Sequence, residues 1–501
     1  MLQDIFLETA EKYSAQDAVT DRAIKLTYNE LFLRKEQMKE YFIHGLHLHK
    51  TDKIALFLPN CIDFISAFFA AADIGAVTIP LNIHLKKPEL QYYINKCGIS
   101  TVITLENLMT HWGRTAQQMK EVRFVFADQL SFPLQYSEPR FTQKKNTLSS
   151  DALSPDTEVL YLSSSGSTGR PKIIPKTHLP LIAGANSLGE ALQITSKDRF
   201  LGVAPFFHAN GFENCMLLPL LRGASVVLMR QFSPRELLKL VEQESITVLI
   251  GSPFIFSSLA DLADKKQNLA SVRLCLSTGA PLPGTLKKLF YDEFGINIRQ
   301  HYGSSETGPL SVQTEDCHEE ETVGRPFKNI KVKILDNDDR ELPPGRTGEV
   351  LIRSNSMIKG YLDEPELNRE SFSGGFFRTG DIGMLDLQGN IRITGRKKFL
   401  INAAGIKIDP VEIKNVLLLS PHVKDALVTG VKNRRGLEMV KAIVVPRTDC
   451  TVHDIIIFCK ERLADYKIPR TIEFRDSLPS DIMGKVIWSE LEGQSESGEI
   501  V

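Results

Sequence analysis

Short apolar runs that recur between helix-length segments constrain this chain more than any other feature. "KIALFLP" (53–59) and "AVTIPL" (76–81) flank one helical stretch, and "STVIT" (100–104) and "FVFA" (124–127) follow. "SVVLM" (225–229), "TVLIGS" (247–252) and "VRLCLS" (272–277) repeat the pattern. Each run is continuous and rich in β-branched residues or Leu, as strands buried on both faces are. Parallel strands joined by crossover helices are expected. Beyond residue 320 the texture changes: "KVKILD", "GEVLIR" and "GNIRITG" are closely spaced strands separated by turn residues. That spacing predicts a small antiparallel sheet or barrel. From residue 400 an α+β pattern resumes, with helices at "PVEIKNVLLLS" and "VHDIIIFCKERLA" and strands at "KDALVTGV" and "KAIVVP". The expectation is an α/β fold: a large N-terminal domain of parallel-rich βαβ sheets with a barrel-like β-subdomain, then a small α+β C-terminal domain. At 501 residues the chain is long enough for this division. The boundary falls at "GRKK" (395–398), giving domains 1–396 and 397–501.

Charge and cysteine usage exclude several classes. Lys plus Arg is 60 against 61 Asp plus Glu, so no net charge points to nucleic acid or a membrane surface. The seven cysteines are scattered without a CxxC pair, which reads as reduced thiols and not as a disulfide frame or zinc site. The start, "MLQDIFLETAEKY", carries Asp4 and Glu8 where a signal peptide wants a basic end and an apolar run. "FISAFFAAADIGAVTIPLN" is the best membrane-spanning candidate, but Asp73 and Pro80 interrupt it before the roughly 20 residues a span needs. A soluble, cytoplasmic protein without an integral membrane segment is expected.

"YLSSSGSTGRPKIIPKTH" (161–178) concentrates Ser, Thr and Gly over 163–169 and runs straight into basic residues. Backbone N–H groups and hydroxyls in such a loop converge on an anion, and Lys172 adds charge. The segment lacks the GK[ST] of a P-loop and the G-x-S-x-G of a nucleophile elbow. On its own it is compatible with a phosphate cradle or with a plain linker.

Other segments decide between them. Ser164-Ser165-Gly166-Ser167-Thr168-Gly169-Arg170-Pro171-Lys172 resembles the phosphate-binding signature of the acyl-adenylate-forming superfamily: acyl- and aryl-CoA synthetases, luciferases and peptide-synthetase adenylation domains. "LTYNEL" (26–31), residues 52–82, "FFHANG" (206–211), "STGAPL" (277–282), "HYGSSETG" (301–308), "GEV" (348–350), "RTGDIG" (378–383), "GRKK", "DPVEIKNVL" and "LPSDIMGK" (478–485) follow in that superfamily's order. The resemblance covers nearly the whole chain.

It implies activation of a carboxylic acid by ATP and Mg2+ to acyl-AMP, with coenzyme A as acceptor. Ser164 to Gly169 and Lys172 would cradle the phosphates, and Thr168 and Glu306 would hold magnesium. Tyr302 and Gly303 would meet adenine, with Thr278, Gly279 and Ala280 nearby, while Ser305 stands where Thr is usual and would donate to the α-phosphate. Asp381 would take the ribose hydroxyls, helped by Arg396 and Ile393. His208, Asn210, Gly211, Phe254 and Gly279 would border the acid. Lys485 would neutralise the transferring group, Lys398 would be the hinge of a mobile C-terminal domain, and Gly405 would leave room for pantetheine. His208 also reads as a hydrogen-bonded core residue. Amino-acid-activating relatives have Asp after the Phe where this chain has His208, so an α-amino acid is disfavoured and an apolar or aromatic acid expected. Phe399 replaces the usual Asp after the hinge, and Ala403-Ala404-Gly405-Ile406 replaces an R-G-G-E-like loop; both departures bear on the thioester step. Two other functions stay open: loading a carrier protein, and binding acyl-AMP or ATP without turnover.

Overall fold

The computed structural model describes residues 1–85, 87–109, 121–130, 153–164, 171–262, 269–315, 322–397, 401–403, 406–408, 410–432, 438–463, 467–479 and 499–500. Two large sheets form the N-terminal part. In a six-stranded sheet, Arg123–Phe126, Thr101–Thr104, Lys53–Leu56, Val77–Pro80 and Glu158–Ser164 run parallel. Lys172–Thr177 closes that sheet's edge antiparallel to Glu158–Ser164. A nine-stranded sheet has a parallel centre: Ile298–Ser304, Leu274–Ser277, Val248–Gly251, Arg199–Gly202, Ser225–Leu228 and Asp17–Asp21. Both its ends turn antiparallel, through Gly308–Val312 at one and Ile24–Thr27 at the other. The continuous apolar runs became the parallel centre, as expected. At the nine-stranded sheet the antiparallel edge strands follow their neighbours through short turns, which need no crossover helix.

The membrane-like run resolves into a helix and a strand. Ile62–Ile74 is a helix buried at every position except Asp63. Gly75 ends it at φ +74°, a left-handed cap that suits glycine, and Val77–Pro80 then enters the sheet. Phe64, Phe68 and Phe69 have no exposed surface, and each such ring contributes roughly 1.5–3 kcal/mol on burial. Asp73, the residue that interrupts the run, pairs with the buried Lys35 at 2.8 Å. No helix among the described residues is long and apolar enough to cross a membrane. In "LTYNEL", Thr27 and Glu30 form a capping box that starts the neighbouring helix Tyr28–Glu40.

The texture change near residue 320 is real. Lys331–Leu335, Gly348–Arg353, Phe376–Leu385, Phe372–Ser373 and Ile391–Arg396 form an antiparallel five-stranded sheet. The small C-terminal domain holds the hairpin Ile401–Ala403/Ile406–Ile408, a sheet built on Val423–Lys432, Glu438–Pro446 and Thr471–Phe474, and helices Pro410–Leu418 and Val452–Lys460. Ile413, Leu417, Val428, Ala442 and Ile455 belong to its separate core.

Candidate active site

Three β-hairpins supply the predicted residues. In the first, Ser164 faces Lys172 across an antiparallel pair, so the connecting loop leaves and returns at one point on the sheet edge. Ser165, Gly166, Ser167, Thr168 and Gly169 lie outside the described residues. Lys172 Nζ stands 4.9 Å from the centre of the Tyr361 ring, a cation–π distance.

The second hairpin pairs Ile298–Ser304 with Gly308–Val312, leaving Ser305, Glu306 and Thr307 in the turn. Side chains clamp this turn from inside. Ser304 N donates to Thr307 Oγ1 at 3.1 Å, and Thr307 N donates to Ser304 Oγ at 3.2 Å. From outside, the Ser356 hydroxyl donates to Thr307 O at 2.7 Å, and Ile358 N donates to Glu306 O at 2.9 Å. Gly303 has a packing reason to be glycine: a Cβ there would lie 2.5 Å from Gly308 O. The Glu306 carboxylate accepts the Tyr361 hydroxyl at 3.0 Å. Burial, then the Glu306 charge, push that phenol well above its ordinary range, so it stays a donor.

The third hairpin pairs Phe376–Leu385 with Ile391–Arg396, and Asp381 stands opposite Arg396. Arg396 Nε donates to Asp381 Oδ1 at 2.7 Å, and the Tyr302 hydroxyl donates to Oδ2 at 2.5 Å. Asp381 is 5% exposed and its backbone is fixed by Thr379, so the carboxylate is held at both ends. Burial raises the Tyr302 phenol and the Asp381 charge raises it further. For Arg396, burial works against the cation but Asp381 outweighs it. Tyr302 and Ile393 pack on one small cluster with Leu310, Ile334, Val350 and Ile352.

The acid-side residues lie on two loops, on the π-helix Asn210–Leu217 that follows the first, and on the helix Pro253–Ala260, which carries Phe254. Asn60 fixes the first: its Nδ2 donates to Gly202 O at 2.9 Å and Ala204 O at 3.0 Å, and its Oδ1 accepts from Phe206 N at 2.9 Å. His208 follows, its ring 4.5 Å from that of Phe207. Gly211 begins the close packing behind it, since a Cβ there would meet Pro205 O at 2.1 Å. Asn210 Oδ1 accepts from Asn214 Nδ2 at 3.0 Å. On the second loop, Thr278 Oγ1 lies 2.9 Å from Nδ1 of the buried His301, while Gly279 and Ala280 are exposed. Phe254 is 41% exposed and meets Phe232 edge-on.

The structure thus joins Tyr302, Asp381, Arg396 and Ile393 in one group, and Lys172 and Glu306 in another through Tyr361. Lys398, Gly405 and Lys485 lie outside the described residues. Sequence reasoning missed Tyr361 and Asn60. Tyr361 sits in "KGYLDEPE", where only its place between the strand "GEVLIR" and "RTGD" would have singled it out. A cleft of about 320 Å³ behind Tyr361, lined by Glu158, Pro175, Lys359 and Asp363, reaches none of Lys172, Glu306 or Asp381.

The donor set fits the groups expected here. A carboxylate bridged to an arginine, beside a tyrosine ring, suits a ribose and base. Among the described residues no three His, Cys, Asp or Glu gather around one point. A single carboxylate near a lysine suits magnesium, which takes one or two protein oxygens and fills its shell from phosphates and water.

The AMP-binding enzyme family matches residues 6–362, and the AMP-binding enzyme C-terminal domain matches residues 412–485. The chain belongs to the AMP-binding enzyme family. Feruloyl-CoA synthase of an Amycolatopsis species is 30% identical over 480 residues, covering 95% of each chain. A long-chain-fatty-acid–CoA ligase of Bacillus subtilis is 27% identical, covering 100% of this chain and 95% of its own. The O-succinylbenzoate coenzyme A synthetase of Bacillus subtilis, solved in complex with AMP, has a TM-score of 0.85 at 25% identity, covering 99% of both chains. The same enzyme solved with ATP and a magnesium ion also gives 0.85, covering 97% of this chain and 99% of its own at 24% identity. In this AMP-binding enzyme the two residue groups therefore occupy a fold that holds adenine nucleotides in relatives.

Proposed function

We propose that this enzyme joins an apolar or aromatic carboxylic acid to coenzyme A in two steps, by way of acyl-AMP. The observation that carries the reading is the double grip on Asp381 by Tyr302 and Arg396, with Lys172 and Glu306 gathered around Tyr361. Acid–CoA ligases of different acids among the relatives support the reaction class.

In the first step the acid's carboxylate oxygen attacks the α-phosphorus of substrate ATP, and pyrophosphate leaves. Asp381 accepts the ribose hydroxyls, Arg396 holds that carboxylate and neighbours the ribose, and the Tyr302 ring covers the base. Lys172 and the loop 164–169 hold the β- and γ-phosphates. Glu306, with Thr168, would hold magnesium, which would supply charge to offset that of the phosphate oxygens. Lys485 adds a cation at the transferring group. "FFHANG" offers the acid no carboxylate partner, so an ammonium on the substrate would be unpaired there. In the second step the C-terminal domain, from residue 397, turns about Lys398 and Gly405 leaves a path for the pantetheine thiol, which displaces AMP.

A carrier-protein thiol is the second reading, favoured by "KIIPKTH". A binding protein without turnover has no need of Asp381, Arg396, Glu306 and Lys485 together. Pyrophosphate exchange across fatty, aryl and amino acids, followed by CoA addition, tests the proposal. Exchange with fatty or aryl acids and a CoA thioester are expected; exchange with amino acids alone would overturn it.

A further inference from the structure

The segment leaving the phosphate loop and the segment carrying the acid-side residues share a buried charge pair. Lys176, on strand Lys172–Thr177, has no exposed surface, and its Nζ lies 2.6 Å from Glu213 Oε1, also buried. Glu213 sits in the π-helix Asn210–Leu217. Its neighbour Asn214 donates to Asn210, and Asn210 Nδ2 is buried with no partner among the described residues. Such a pair is a poor stabilising device, because desolvating both charges offsets most of their attraction and apolar residues of like size do as well. It does bring together the two elements that carry it, and π-helical turns are rare and frequent at functional sites. Lys176 is four positions beyond Lys172, and Glu213 is three beyond Asn210.

We propose that Lys176 and Glu213 are positioning residues that couple the phosphate site to the acid pocket, so that ATP and the acid each tighten the other's binding. This rests on the assignment of phosphate to Lys172 and of the acid to Asn210. Hydrogen exchange on the full chain, with and without MgATP and with no acid or CoA, tests it. MgATP should slow exchange over 172–178 and over 208–217 in the parent. Lys176→Met should keep the first effect and lose the second, while Lys176→Arg keeps both. Should Lys176→Met fail to fold, Glu213→Gln removes the carboxylate's charge with little change of shape, breaks the ion pair from its other side and carries the same comparison. Protection of 208–217 that is absent in the parent, or undiminished in the variant, overturns the coupling. No protection of 172–178 in the parent overturns the site assignment and the coupling with it. A failure of the thioester reaction alone leaves this experiment untouched.

With an accepted acid in hand, the parent's acid KM should fall about tenfold between low and saturating ATP, a typical coupling between sites. In Lys176→Met that fall should vanish with kcat nearly unchanged. A variant that merely loses stability would keep it.

Discussion

Tyr302 and Asp381 stand 79 positions apart in the chain and share a hydrogen bond of 2.5 Å. With Arg396 on the other oxygen, the carboxylate that would receive a ribose is aimed before any nucleotide arrives. A hydrogen bond to a charged group contributes about 1.5–3 kcal/mol, roughly ten- to a hundredfold in binding. Asp381→Ala should therefore raise the ATP KM by at least about tenfold. Tyr302→Phe keeps the ring and loses one contact to the carboxylate, so it should cost far less than Tyr302→Ala. Titrating ATP in the exchange assay measures both, and equal losses in Phe and Ala variants would assign the work to the hydroxyl.

The Tyr361 hydroxyl holds Glu306, the carboxylate proposed here for magnesium. Removing a group that orients a metal ligand usually weakens metal affinity about 10–100-fold. Tyr361→Phe should raise the magnesium concentration needed for half-maximal exchange by such a factor, and saturating magnesium should restore the rate. An unchanged magnesium requirement would separate Glu306 from the metal.

Lys485→Ala should lower acyl-AMP formation by about 10²–10³, the usual effect of removing one contact to developing charge. Thioester formation from pre-made acyl-AMP should survive. Equal loss in both half-reactions would show that the lysine does something else.

Two buried imidazoles set a pH dependence of stability. Burial lowers His178 and His301 from 6.5 to about 4 in the folded chain. His178 accepts the Leu2 amide on Nδ1, a bond that its protonation would break. The unfolded chain binds the extra protons first, so stability is complete above pH 6.5 and falls as the pH drops towards 4. Each histidine accounts for up to about 3 kcal/mol of that fall. Denaturant midpoints across this window should show the slope, and His301→Gln should remove about half of it, the His178 share remaining, whatever it does to the midpoint itself.

The parallel centre of each large sheet was legible because strands buried on both faces have no polar alternation to disguise them. The helix Ile62–Ile74 was visible as an apolar run, although its nature was not: Lys35, the partner that lets Asp73 lie inside, comes from 38 positions upstream. Motif order pointed to Asp381, Arg396 and Glu306, and the fold gives each a side-chain partner: Asp381 and Arg396 each other, Glu306 the Tyr361 hydroxyl. That order passed over Tyr361 and Asn60, whose importance lies in what they touch, since neither contact leaves a mark at short range in the sequence. Lys176 shows the limit best. As letters, "PKTH" is a basic stretch of the kind exposed loops contain, and only the fold turns its lysine inward to Glu213.

Asp381 and Arg396 face each other across two strands of one sheet, and the second strand ends at Arg396. The chain next makes an anchor: Lys397 Nζ binds the buried Glu349 at 2.9 Å, beside Arg378 on the same carboxylate. A load applied further along the chain thus meets a fixed post one residue after the arginine. On the proposed two-step reaction, a sugar held by Asp381 would be shielded from the turn of the domain that follows, much as a door frame stays still while the door moves. Cutting that post with Glu349→Gln would let the motion reach Arg396, and the grip on the ribose would then vary with the stage of the reaction.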